Sequence, residues 1–273
     1  MRSSLSFSYG QMRDIIRNRS ADVIVVSYPK SGRTWHRLAL GAYVAKLSGL
    51  ELSKALDTRK LTAKAGLPVV TYSHNGANFL DNVGPAHPFV ASRLLWMNKR
   101  VVLLLRDPRD VLVSSYHHAT ERSRTFSGSL SAFVRNPATG IDKIMVALHA
   151  WKNNMNSASD VLIQSYESMH KDHQSALEDA VRFCGFGQPD STIIDQCVEM
   201  STFGRMQKFE EESFFDHGSM KGRKNLSGSK AGAKVREGRI GGYAGQMAAE
   251  DIAYVNERMK HLGNPFPDYL TFP

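Results

Sequence analysis

Two cysteines in 273 residues are too few for a disulfide framework. Cys184 and Cys197 sit in or beside helix-patterned segments, where a free thiol behaves as a small apolar side chain in a reducing compartment. No apolar run approaches the ~20 residues that span a bilayer. Met1 to Ser20 carries scattered charges and no apolar block, so it does not read as a secretory leader. Zinc-ligand spacing, an RNA-binding signature and a basic zipper are all missing. So are an internal repeat and a linker that would divide the chain. These absences point to a single cytoplasmic domain over residues 1–273 with no transmembrane segment, residues 1–20 forming an N-terminal extension.

What is present is a hydrophobic content of 42%, enough for one sizeable core at this length. Lys and Arg number 35 against 26 Asp and Glu, a formal net charge of +9. That surplus suits a polyanionic partner, and with no nucleic-acid motif in view a small polyanion accounts for it. Val23–Val26, Leu67–His74 and Val101–Leu105 read as strands, and Val161–Ile163 reads as a third central strand. Helical patterns separate them: 141–155 is apolar at helix spacing, and Leu177, Ala180, Val181 and Cys184 make one stripe closed by Gly185. Residues 250–262 begin with acids and end with Lys260, His261 and Gly263. Strands alternating with helices predict an α/β fold with a central, mainly parallel sheet flanked by helices.

The most informative stretch is Tyr28-Pro-Lys-Ser-Gly-Arg-Thr-Trp35. It lies between an apolar strand and an amphipathic helix. A turn opening a helix presents unpaired N–H groups and a partial positive charge, which attract phosphate. Lys30 adds a cation, Ser31 and Thr34 add hydroxyls, and Gly32 allows close approach. A Walker A loop places its Lys after the second of two glycines; here Lys30 precedes Gly32, the loop's one glycine, so the cradle is of another kind. The second informative stretch follows the apolar run 101–105. Arg106-Asp-Pro-Arg-Asp110 puts a guanidinium at the carboxyl end of a buried strand, where open α/β sheets bind ligands. Asp107 is placed to cap the next helix, with Pro108 in its first turn.

The first stretch resembles the 5′-phosphosulfate loop of sulfotransferases that use 3′-phosphoadenosine-5′-phosphosulfate (PAPS), with Arg33 where the family has Thr. The second resembles their 3′-phosphate motif. This likeness implies a P-loop-like sulfotransferase domain, PAPS as sulfuryl donor, 3′,5′-adenosine bisphosphate (PAP) as product and no metal. It implies cofactor contacts from Lys30, Ser31, Gly32, Arg33, Thr34, Trp35, Arg106 and Ser114. Tyr166 stands where the family has a nucleotide-contacting Tyr followed by Glu, here Glu167. Ser201 and Phe203, before Met206, resemble an adenine-contacting segment. Arg236, Glu237 and Gly238, within 235–243, resemble a segment closing on the 3′-phosphate; Glu237 replaces a common Lys and Tyr243 a Trp. The Gly- and Lys-rich stretch 212–234 reads as a flexible basic lid that orders over the bound anion.

Sulfuryl transfer in line requires a base, a cation at the leaving phosphate and donors on the sulfuryl oxygens. Lys30 fills the second role, and the likeness implies that Ser114 hydrogen-bonds Lys30 before the acceptor arrives. His74 is the expected base, because a histidine at a strand's crevice end titrates near neutral pH; a carboxylate is the rival. His117 and His118 lie on the wrong side of the second motif. The expected reaction is sulfation of a hydroxyl, less readily an amine, on a sugar, lipid or small metabolite. Phe79, Phe89 and Trp96 fall where acceptor loops belong, and core packing also explains them. The alternatives are a P-loop phosphotransferase and a PAPS-binding module without catalysis. No dimer motif of the animal cytosolic members is evident, so an oligomeric state is not assigned.

Overall fold

The two longest apolar strand patterns lie side by side at the centre of the molecule. The computed structural model describes residues 9–77, 93–215, 220 and 238–272. The elements run α1 (Tyr9–Asn18), β1 (Val23–Ser27), α2 (Arg33–Leu47), α3 (Thr58–Lys64), β2 (Val70–Ser73) and α4 (Arg93–Trp96). β3 (Arg100–Leu105), α5 (Pro108–His117), α6 (Leu130–Arg135), α7 (Ile141–Asn154), β4 (Asp160–Ser165) and α8 (Tyr166–Lys171) follow. The order closes with α9 (His173–Phe183), α10 (Ser191–Met200), α11 (Phe203–Glu211) and α12 (Ala249–Leu262).

All pairings in the sheet are parallel, in the order β2-β1-β3-β4. β1 and β3 are buried on both faces, which is why their sequences are continuous apolar runs rather than alternating ones. Ile24, Val26, Val101, Leu103 and Leu105 face one layer, with Leu112, Phe133, Trp151 and Met259. Val23, Val25, Tyr72, Val102 and Leu104 face the other, with Leu40, Tyr43, Val181 and Cys197. Val161–Ile163, which reads as a central strand in sequence, belongs to the outer strand β4. It pairs only with β3 among the described residues, and its burial rises from an exposed Asp160 to a buried Ser165.

After β1 the chain goes to β2 on one side and then returns to β3 on the other. The carboxyl ends of β1 and β3 therefore flank a topological switch point, the crevice where such sheets bind ligands. The expected helix signals act as read: Asp107 accepts the Arg109 N–H at 2.8 Å with Pro108 opening α5, and Gly263 stops α12 at φ 77°. Cys184 and Cys197 are free and buried, and burial pushes both thiols up to about 12. Trp96 is fully enclosed in the first core, while Phe79 and Phe89 lie outside the described residues. No helix among the described residues is long and apolar enough to cross a membrane.

Gly41 in α2 marks a tight crossing, because a Cβ there would stand 1.9 Å from the Ala55 carbonyl oxygen. Alanine gains about 1 kcal/mol in helix propensity over glycine, but overpacking against backbone costs about 1–3 kcal/mol or more. Gly41→Ala is expected to lower the melting temperature by roughly 2–8 °C, measured by differential scanning calorimetry. An unchanged or raised value would show that α2 and the 52–55 turn separate at little cost.

Candidate active site

The loop after β1 is shaped by two left-handed residues, Lys30 at φ 73° and Gly32 at φ 83°. Gly32 is the N-cap of α2, so the cap itself presents no side chain. The first-turn N–H groups, those of Arg33, Thr34 and Trp35, have no helical partner and face the crevice end of β1. A Cβ on Gly32 would come 2.7 Å from Tyr166 Cδ2, so a larger residue would force the loop off its neighbour. Ser31 is buried and Lys30 half-buried.

Arg106 joins this loop to the other chain segments at the crevice. Its Nη1 donates to the Lys30 carbonyl at 3.0 Å and its Nη2 to the Arg239 carbonyl at 3.1 Å. Its guanidinium lies 4.1 Å from the Tyr166 ring centroid and 3.8 Å from Asp110. Arg106 Nε is buried with no hydrogen-bond partner. Asp110 accepts from the Gly241 and Tyr243 N–H groups at 2.8 and 3.0 Å, anchoring the segment after Gly238. Burial raises the Asp110 carboxyl, and the Arg106 charge opposes that. Glu167 Oε1 accepts the Asp107 N–H at 3.0 Å, tying the turn after β3 to the start of α8. Arg106 and Asp110 thus form the structural ion pair that sequence alone allows, and Arg106 reaches the loop as well.

Trp35 packs edge-on to Tyr166, with ring centroids 5.6 Å apart. His170 and His173 tilt onto it at 4.8 and 4.5 Å. Sequence reading passed over both histidines; their i,i+3 spacing just after Tyr166 was the available signal. Phe203 stays 38% exposed and touches Gly238 so closely that a Cβ there would stand 2.7 Å from its ring. Ser201 is buried, and its hydroxyl donates to the Cys197 carbonyl at 2.7 Å. Ser114 is half-buried on α5, and its carbonyl accepts from the His118 N–H. His117 is occupied with Gln246 at 2.7 Å. Arg236, Glu237 and residues 216–219 and 221–234 of the expected lid lie outside the described residues.

On the β2 side stands His74, directly after the strand and half-buried. Its Nδ1 is 2.7 Å from the Ser27 carbonyl. A carbonyl only accepts, so Nδ1 carries the proton and the basic lone pair is on Nε2. Ser73 donates to Asp14 of α1. Tyr72 is hydrogen-bonded to His36 Nδ1 at 2.8 Å, and the Arg37 guanidinium lies 4.2 Å from its ring centroid. The charged and polar neighbours of Arg33 are Arg37, Tyr72, Asp14 and Arg17, all on this side. Burial, then the Arg37 charge, lowers Arg33 to about 9.

Burial holds His36 neutral, lowered to about 3, with the His173 and Arg37 charges adding to the effect. His173 is lowered to about 4, chiefly by burial and then by His170. Histidine in an unfolded chain titrates near 6.5. Between these values the unfolded chain binds protons that the folded chain does not. This contribution to stability is therefore complete above pH ~6.5 and lost as pH falls toward 3, with a slope of up to about 1.4 kcal/mol per pH unit per group. Urea unfolding between pH 7 and 4.5 should show this fall. His36→Asn, which keeps a hydrogen-bonding group near Tyr72, should show a shallower one; an equal slope in the variant would remove His36 as a cause.

The sulfotransferase domain model matches residues 20–264. Luciferin sulfotransferase of Photinus pyralis is 26% identical, over 94% of this chain and 76% of its own length. Amine sulfotransferase of Oryctolagus cuniculus is 25% identical, over 91% and 83%. Among solved structures, mouse sulfotransferase SULT7A1 complexed with PAP superposes with a TM-score of 0.57 at 17% identity, covering 93% of this chain and 88% of that one. Retinol dehydratase in complex with androsterone and PAP does so with a TM-score of 0.57 at 16% identity, covering 96% and 87%. With the match extending from before β1 to beyond α12, the chain belongs to the sulfotransferase family.

Proposed function

We propose that the chain transfers the sulfuryl group of PAPS to an acceptor hydroxyl, with His74 as base and Lys30 at the leaving phosphate. The observation that carries this reading is the convergence of the Lys30 loop, the Tyr166 turn and the Arg239 segment on Arg106, whose buried Nε has no partner. A buried guanidinium with an unmet donor is costly unless an anion completes it. The close-packed Gly32 turn is a second sign of a loop shaped for phosphate.

PAPS supplies the activated sulfuryl group and a phosphate leaving group. The 31–34 N–H groups, Ser31, Thr34 and Lys30 hold the 5′ end; Arg106 and Ser114, with Arg236 and the backbone N–H groups of Glu237 and Gly238, hold the 3′-phosphate. Trp35, Tyr166, Ser201 and Phe203 receive the adenine. Lys30 neutralises charge that grows on the leaving oxygen, an interaction strongest in the transition state. His74 Nε2 takes the acceptor proton, and the Ser27 carbonyl steadies the imidazolium that forms through Nδ1. The carboxylates just past the ends of β3 and β4, Asp107 and Glu167, accept backbone N–H groups, which favours His74 over them as the base. The acceptor is a small molecule, as the names of the curated relatives suggest, and the enzyme works in the cytoplasm.

PAP at ~100 times its Kd should add about 2.7 kcal/mol to stability, a rise of roughly 5–10 °C in melting temperature. Arg106→Ala should abolish that rise. A rise with Mg-ATP and none with PAP would overturn the sulfotransferase reading in favour of a phosphotransferase. Once an acceptor is found, His74→Ala is expected to lower kcat about 10²–10⁴-fold while leaving the PAP-induced rise intact. Full turnover in this variant would assign the proton to another group.

A further inference from the structure

Arg33 and Arg37 are one turn apart on α2, both half-buried, and neither makes an ion pair within the described residues. Arg37 Nε is shut off from solvent with no hydrogen-bond partner. The carboxylates nearest to the pair act on it through space, but their hydrogen bonds and ion pairs are made elsewhere. Asp14 accepts from Asn18 at 2.9 Å through one oxygen and from Ser73 through the other. Asp57 pairs with Lys60 at 3.0 Å. Arg17 adds a third positive charge to the group. The Tyr72 ring under Arg37 offers cation–π attraction of about 0.5–2 kcal/mol, but a ring face satisfies none of the guanidinium's N–H donors. Two half-buried cations one turn apart, neither ion-paired among the described residues, repel each other, and an anion held between them would relieve that repulsion.

The cluster is also on the side of the crevice opposite the Arg106 junction. Arg106, Tyr166 and Arg239 gather around the ends of β3 and β4, whereas Arg37 lies on Tyr72 of β2, two residues before His74. Ser73, between them, is held by Asp14. The geometry points to Arg33 and Arg37 as an oxyanion-binding subsite for the acceptor: the hydroxyl to be sulfated belongs to a molecule that also carries a carboxylate, sulfate or phosphate. This rests on the sulfotransferase reading and extends it from the donor to the acceptor. Paired guanidiniums suit a two-oxygen anion. With its anion held there, the acceptor brings its hydroxyl to His74, while the backbone of Arg33 continues to serve the phosphate loop.

The test uses the full chain saturated with PAP and titrates two matched probes, 4-hydroxybenzoate and its neutral analogue 4-hydroxybenzamide, by calorimetry. The wild type should bind the benzoate at least 10-fold more tightly than the benzamide. Arg37→Gln should erase that preference and Arg37→Lys should keep part of it, with PAP affinity within 2-fold of wild type in both. Equal binding of the two probes, or no binding of the benzoate, overturns the inference. So does a loss of PAP affinity of 10-fold or more in Arg37→Gln, which would assign the pair to the donor. Failure of PAP to bind the wild type would instead sink the sulfotransferase reading itself, so the two failures are told apart.

Discussion

The site depends on one guanidinium. Arg106 leaves the end of a fully buried strand and spends its donors on two main-chain carbonyls, those of Lys30 and Arg239, while its face rests on Tyr166. Hydrogen bonds to a charged donor are worth about 1.5–3 kcal/mol each, more than a typical neutral pair. Three segments that are distant in sequence are thereby held in register around one crevice. The Lys30 and Arg239 contacts are made in turns and the Tyr166 contact at the first residue of α8, so Arg106 links two irregular segments to a helix start.

Rigidity around this junction comes from supports one step removed. Glu167 holds the Asp107 N–H, Asp107 caps α5, and Asp110 holds two N–H groups of the segment after Gly238. These carboxylates accept backbone N–H groups, and Asp110 also lies 3.8 Å from Arg106. The left-handed Lys30 and Gly32 fold the loop tightly enough for Tyr166 to pack against it. Order of this kind suits catalysis by positioning, where donors must stand ready before charge moves.

The two sides of the crevice differ in a way that matches a two-substrate reaction. The β3–β4 side has aromatic rings and a guanidinium already fixed by carbonyls. The β2 side has a histidine whose tautomer is set by Ser27 and two arginines that make no ion pair among the described residues, Arg37 with a buried, unpartnered Nε. The sheet order explains the division, because the chain leaves β1 toward β2 first and crosses to β3 afterwards.

Much of this was legible in the chain itself. Continuous apolar runs at 23–26 and 101–105 determine buried parallel strands, since a half-exposed strand would alternate. The order of Lys30, Ser31 and Gly32 after the first strand and of Arg106 after the third marks the two turns that open onto the crevice, because local turn chemistry and helix ends act over a few residues. Asp107, Pro108 and Gly263 mark their helix ends for the same reason. Tertiary structure alone decided that β4 is an outer strand, that His170 and His173 close on Trp35, and that the Arg33 side chain sits with Arg37 and Tyr72. Those outcomes depend on which surfaces meet across the sheet and on what burial does to a charge. Neither quantity is a property of any short stretch of sequence.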